Sequence, residues 1–124
     1  MDLGMKEQEA VQGDWVLVSG ERDGIVFPES DVEGTKRTFT GDKFLVTKQS
    51  ERVASGTFRL DPSKQPKEVN VKLDGADKPV QGIYALEGET LKICYGLPGV
   101  ERPKEFGTKV GSGHIFGVWK RAKQ

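Results

Sequence analysis

The run Gly82-Ile83-Tyr84-Ala85-Leu86-Glu87-Gly88-Glu89-Thr90-Leu91-Lys92-Ile93-Cys94-Tyr95 decides the fold. Two β-rich segments flank Glu87-Gly88-Glu89, a short polar turn centred on glycine, which is a strong hairpin signal. Successive side chains of a strand point to opposite faces. Leu91, Ile93 and Tyr95 therefore share one face, and Lys92 and Cys94 the other. The same unit, a short alternating strand followed by a Gly/Asp turn, recurs on both sides of this run.

Upstream, Glu68-Val69-Asn70-Val71-Lys72-Leu73 is the cleanest alternation, and Asp74-Gly75-Ala76-Asp77-Lys78-Pro79 turns the chain into the hairpin. Asp61-Pro62-Ser63-Lys64-Gln65-Pro66 is a loop, because its prolines remove ladder donors. Val53 to Leu60 reads as a strand with Phe58 and Leu60 on one face. Lys43 to Lys48 and Thr35 to Thr40 are strands joined at Gly41-Asp42. Ile25-Val26-Phe27 is a short strand, and Pro28 to Gly34 fits a connecting turn or a single helical turn. The first long strand, Asp14 to Arg22, begins apolar on both faces, so both must be covered there.

Downstream, Gly96 to Gly111 is the longest break in the pattern, with Pro98, Gly99, Pro103 and Gly107. Loops of this length in small domains often carry function. Gly113 to Lys120 is the last strand, with His114, Phe116 and Val118 on one face and Ile115, Gly117 and Trp119 on the other.

The sum is about eight strands in chain order, joined mostly by short turns. The chain has 16 glycines in 124 residues, set between apolar runs, which favours an all-β protein. No segment supplies a crossover helix, so a parallel sheet is not expected. The expected fold is an up-and-down antiparallel β-barrel, with a two-sheet sandwich as the alternative. Residues 1–10 read as a flexible or briefly helical N-terminal arm and residues 11–124 as the barrel domain, with Arg121 to Gln124 fraying.

Lys plus Arg and Asp plus Glu each total 19, giving a formal net charge of zero. Without a basic excess or stripe, nucleic acid is not an expected partner. No apolar run approaches the length of a membrane span. Cys94 is the only cysteine, so no intramolecular disulfide forms. The start, Met1 to Lys6, has neither the basic nor the apolar region of a signal peptide. The sequence as it stands reads as cytoplasmic, or as exported to the periplasm if a leader was removed.

Two resemblances bear on the fold. Gly13-Asp14-Trp15 opens the first long strand and Arg121 ends the last. This resembles the lipocalin arrangement of a Gly-X-Trp on the first strand beneath a basic residue from the last, a contact of about 0.5–2 kcal/mol. More of the chain is similar to a small uncharacterised domain abundant in Planctomycetes and some other environmental bacteria. That similarity rests on Gln12-Gly13-Asp14-Trp15, Phe39-Thr40-Gly41-Asp42-Lys43, Gly56 to Ser63, Gly82-Ile83-Tyr84, Thr90 to Cys94, Arg102-Pro103-Lys104-Glu105-Phe106 and Gly111-Ser112-Gly113-His114. It implies a lipocalin-like β fold and brings no established activity. Copies of that domain often follow an export signal.

Several residues could carry chemistry. Cys94 and His114 are each the only residue of their type, and a thiol beside an imidazole is the raw material of a nucleophilic pair. Equally, Cys94 fits a small buried hydrophobe and His114 a hydrogen-bonded strand residue. A metal would need carboxylates from Asp61, Asp74, Asp77, Glu101 or Glu105, which sit in turns where they ordinarily serve the backbone. No phosphate loop, EF-hand or dinucleotide fingerprint is present, and no cofactor or metal is expected. Arg102, held by Pro103, could clamp a ligand's carboxylate or phosphate; the alternative is an ion pair with Glu101 or Glu105 that pins the loop as a lid. Phe44, Phe58, Tyr84 or Ile83, Tyr95, Phe116 and Trp119 could line a cup or simply fill the barrel.

The leading expectation is a small-molecule binding module. Its lipocalin-like cup would take a partly apolar, anionic ligand, with Arg102, Glu105 and His114 as polar anchors and Tyr84, Tyr95, Phe44, Phe58 and Phe116 as walls. The alternatives are a hydrolase-type enzyme using His114 with Cys94 or a carboxylate, and a protein-interaction module whose exposed strand edge or loop surface meets another protein. Each makes a geometric demand: an open cavity, a thiol–imidazole contact, or an unclosed sheet.

Overall fold

The computed structural model describes residues 3–122. A helix, α1 (Leu3–Ala10), precedes the first strand, β1 (Gly13–Arg22). A two-residue strand, β2 (Ile25–Val26), and a single helical turn, α2 (Glu29–Val32), follow. Then come β3 (Thr35–Thr40), β4 (Lys43–Lys48), β5 (Glu51–Asp61), β6 (Glu68–Leu73), β7 (Val80–Glu87), β8 (Thr90–Gly96) and β9 (His114–Arg121). From β3 to β9 each strand pairs antiparallel with the next, and β1 pairs with both β3 and β9. Eight strands thus close into an up-and-down, calycin-like barrel, and the sandwich alternative is excluded by the β1–β9 ladder. No helix among the described residues is long and apolar enough to cross a membrane.

Closure depends on β1. One edge of it runs along β9 from Trp15↔Arg121 to Arg22↔Ile115, with a bulge between Leu17 and Ser19. The other edge meets β3 only at Gly13 to Val16 and β2 only at Glu21 and Arg22. Between these short ladders the Phe27 amide donates to Gly20 O at 2.9 Å. The Phe27 ring lies so close that a Cβ on residue 20 would sit 2.8 Å from it, so only glycine fits.

One end is plugged. Val11 and Trp15 are buried, and the Trp15 indole donates to Val11 O at 2.9 Å. The Arg121 guanidinium lies 4.3 Å from the Trp15 ring centroid and donates to Gln12 O and Ala10 O at 2.9 and 2.7 Å. The cation covers the ring while its own donors find carbonyls, so charge and indole are both satisfied.

Where an arm was expected, α1 is tied down. Gln8 and Gln12 donate to Gly41 O in the β3–β4 turn. Glu7 accepts from Lys67 Nζ at 2.6 Å and from Tyr84 Oη at 3.1 Å. These partners lie far along the chain, so a local reading of a polar segment could not find them. The fraying expected from Arg121 to Gln124 is not seen at its first two residues, since Arg121 ends β9 and the Arg121 and Ala122 amides donate to Glu89 O and Asp14 O at 2.9 Å; residues 123–124, like the first two of the arm, lie outside the described residues.

Candidate functional site

The period-two alternation sorts the strands into an inner and an outer layer. The inner one holds the main core, including Phe39, Phe44, Val46, Phe58, Val69, Tyr84, Leu91, Ile93 and Trp119. These side chains do not fill the barrel. They surround a cavity of about 580 Å³, floored by Val11 and opening at the far end past Arg22, Lys48 and Val53. Phe44, Phe58, Tyr84 and Tyr95 all stand on its wall. At the mouth Lys48 and Asp31 pair at 3.3 Å.

One charged side chain is inside. Arg37 shares its strand face with Phe39 and by register lies between Trp15 of β1 and Val46 of β4. It is 8 % exposed and lines the cavity. The rings of Trp119, Phe44 and Phe39 surround its guanidinium at 4.9, 5.6 and 6.0 Å. No carboxylate pairs with it among the described residues, and its Nε has no acceptor. Burial pushes its pKa down, and the neighbouring Tyr95 phenol opposes that shift. The guanidinium still keeps its proton, as arginine does in proteins. The reading of the sequence passed over this residue, although its place opposite Thr38 and beside Phe39 was a usable signal.

The outer layer carries a second, smaller apolar group. Register aligns Ile83, Cys94 and Phe116 across β7, β8 and β9, facing away from Leu91, Ile93 and Tyr95. The long β8–β9 loop crosses this row as a strap. Phe106 packs on Phe116 with ring centroids 6.1 Å apart. Cys94 Sγ donates to Gly107 O at 3.4 Å. Thr108 N and Oγ1 donate to Glu21 Oε1 on β1 at 2.6 and 2.9 Å. At the other end Arg102 Nη1 donates to Val69 O and Gly82 O at 3.1 and 2.7 Å, and Nη2 to Asn70 Oδ1 at 2.6 Å. Its Nε lies 3.6 Å from Glu68.

The sequence-derived site residues therefore divide between the two layers. Arg102 is on the strap, outside the cavity, and its carboxylate partner is Glu68 rather than Glu101 or Glu105. Glu105 is exposed and lies 3.8 Å from Lys109. His114 Nε2 donates to Glu101 O at 3.1 Å. Phe116 borders the cavity, but its ring belongs to the outer row. Cys94 and His114 share a strand face, yet each is bonded to a different loop carbonyl. Burial also pushes the Cys94 pKa up, which favours the less nucleophilic thiol. Among the described residues no three His, Cys, Asp or Glu side chains cluster to hold a metal.

No family model, curated protein or solved structure matches the chain.

Proposed function

We propose that the barrel is a small-molecule binding module, a cup that takes one largely apolar ligand along its axis. The observation that carries this reading is the 580 Å³ cavity, which falls within the range of ligand sites and is walled by aromatic and aliphatic side chains. A core serving stability alone would be packed to crystal-like density. Phe44, Phe58 and Tyr95 are wall contacts in this reading, with Tyr84 towards the plugged end. Arg102, Glu105 and His114 then hold the strap and do not touch the ligand. Kinship with the uncharacterised Planctomycetes-type domain is proposed alongside, on the shared residues alone, and supplies no activity.

The test is titration with Nile red, a neutral dye whose emission shifts to the blue in apolar surroundings. Saturable binding of about one dye per barrel is expected. Val71→Trp, which puts an indole into the cavity, should weaken it at least about tenfold while leaving the β-sheet circular dichroism intact. Absence of saturable emission from the wild type, or equal binding by a folded Val71→Trp variant, would overturn the reading.

A further inference from the structure

We infer that the ligand is a single-chain amphiphile bearing one carboxylate, held head-inward on Arg37 with its tail running to the mouth. The inference rests on the cup reading and adds the chemical class and the orientation.

Taking an ion out of water costs several kcal/mol unless a counter-charge and hydrogen bonds replace the lost hydration. The other arginines with a demanding environment are satisfied in this way. Arg102 bonds two carbonyls and an amide oxygen beside Glu68, and Arg121 bonds two carbonyls near Glu89. Arg37 is more deeply buried than either, with three aromatic rings and the Tyr95 phenol around it and no acceptor for its Nε. Cation–π contacts of about 0.5–2 kcal/mol each offset part of the penalty. The rings supply no acceptor in the guanidinium plane, and Nε is left without one. An acceptor brought by a ligand completes the site.

The charge count selects the anion. One buried cation neutralises one negative charge, whereas a phosphate monoester would leave a second charge in an apolar cavity. A carboxylate also matches the planar fork of a guanidinium, bonding it through two oxygens. The Tyr95 phenol beside the cation can donate to the same oxygens. The remaining wall is largely apolar, from Leu17 past Leu73 and Phe27 to the mouth. Along β1 the distance from the Trp15 level to Arg22 is roughly 23 Å at about 3.3 Å per residue. That suits one extended acyl chain.

The experiment compares dodecanoate, 1-dodecanol and dodecyl phosphate as competitors of bound Nile red. Wild type should prefer the carboxylate to the alcohol by at least about tenfold, the lower end of what a hydrogen bond to a charged group contributes. Dodecyl phosphate should compete less well than dodecanoate. Arg37→Met should abolish the preference for the acid, bringing the affinities for acid and alcohol within about twofold of each other. Equal competition by acid and alcohol on wild type would overturn the inference, as would stronger competition by the phosphate. A preference that survives in folded Arg37→Met would also overturn it. If Arg37→Met fails to fold, the three-ligand comparison on wild type decides alone. Failure of Nile red to bind would count against the cup itself; its displacement without regard to charge would count only against the carboxylate.

Discussion

The strap on the outer face and the cavity on the inner face share the same barrel wall, and each contains an arginine among aromatic or apolar side chains. They differ in what is left over. Under the strap, Arg102, Cys94, Glu21 and Thr108 all bond to the protein itself. In the cavity, Arg37 has an orphaned Nε and no acid partner among the described residues. A polar group bonded within the fold serves stability; a buried one without a partner is what the proposed ligand would satisfy.

Substituting both arginines by methionine tests this contrast most strongly. Arg102→Met should lower unfolding stability by about 2–4 kcal/mol, because it strands the Val69 and Gly82 carbonyls and Asn70. Urea denaturation of the purified variant measures it. A loss below about 0.5 kcal/mol would mean the strap is not held by Arg102. Arg37→Met should move the ligand-free protein in the opposite direction, a gain of about 1–2 kcal/mol, since it removes a buried cation without breaking a pair. A loss of similar size would show that Arg37 serves the fold.

Cys94 reports on the strap directly. Its thiol is fully buried and its pKa is raised, so an aromatic disulfide reagent should label the native protein only through opening. In Arg102→Met the labelling rate should rise at least about tenfold, and in Arg37→Met it should not rise. Equal labelling in both variants would erase the distinction between the layers.

Asp14, on the outer wall beyond the strap, sets the lower end of the scale. It accepts from Thr38 Oγ1 at 2.7 Å and lies 3.3 Å from Lys36. Its pKa falls below the usual 3.8, chiefly through the Thr38 bond. A lowered folded-state pKa stabilises the protein fully above the unfolded value, and that contribution is lost as the pH drops through the folded value. The group is well exposed and screened, so Asp14→Asn should cost at most a few tenths of a kcal/mol at neutral pH. The variant and wild type should converge in strongly acid solution. A gap that persists there would assign the effect to something other than the charge.

The wall was legible in the sequence because its information is local. Val69 and Val71, Leu91 and Ile93, and Phe58 and Leu60 each announce a face, and glycine or aspartate turns separate them. Phe44, Phe58, Tyr84 and Tyr95 could be assigned to a possible cup by the same rule. Phe116 resisted it, because β9 is apolar on both sides: one faces the cavity and the other the strap. Arg102 stood out beside Pro103, but its acceptors lie on β6 and β7, and strand register over that distance leaves no local trace. Arg37 was harder still. It follows Lys36 in a strand whose only strongly apolar residue is Phe39, and charge outweighed alternation. For α1 a brief helix is among the readings of residues 1–10, but its anchoring was not legible: the segment is polar and short, and tertiary bonds to Gly41, Lys67 and Tyr84 hold it.

The β1–β9 ladder also has a consequence in time. It joins the first strand of the barrel to its last, so the ring cannot be sealed before β9 has been made. As a ribosome extends the nascent chain at about 5–20 residues per second, Trp15 emerges early and waits uncovered for Arg121. Until β9 arrives, that indole lacks the cation that covers it in the closed barrel.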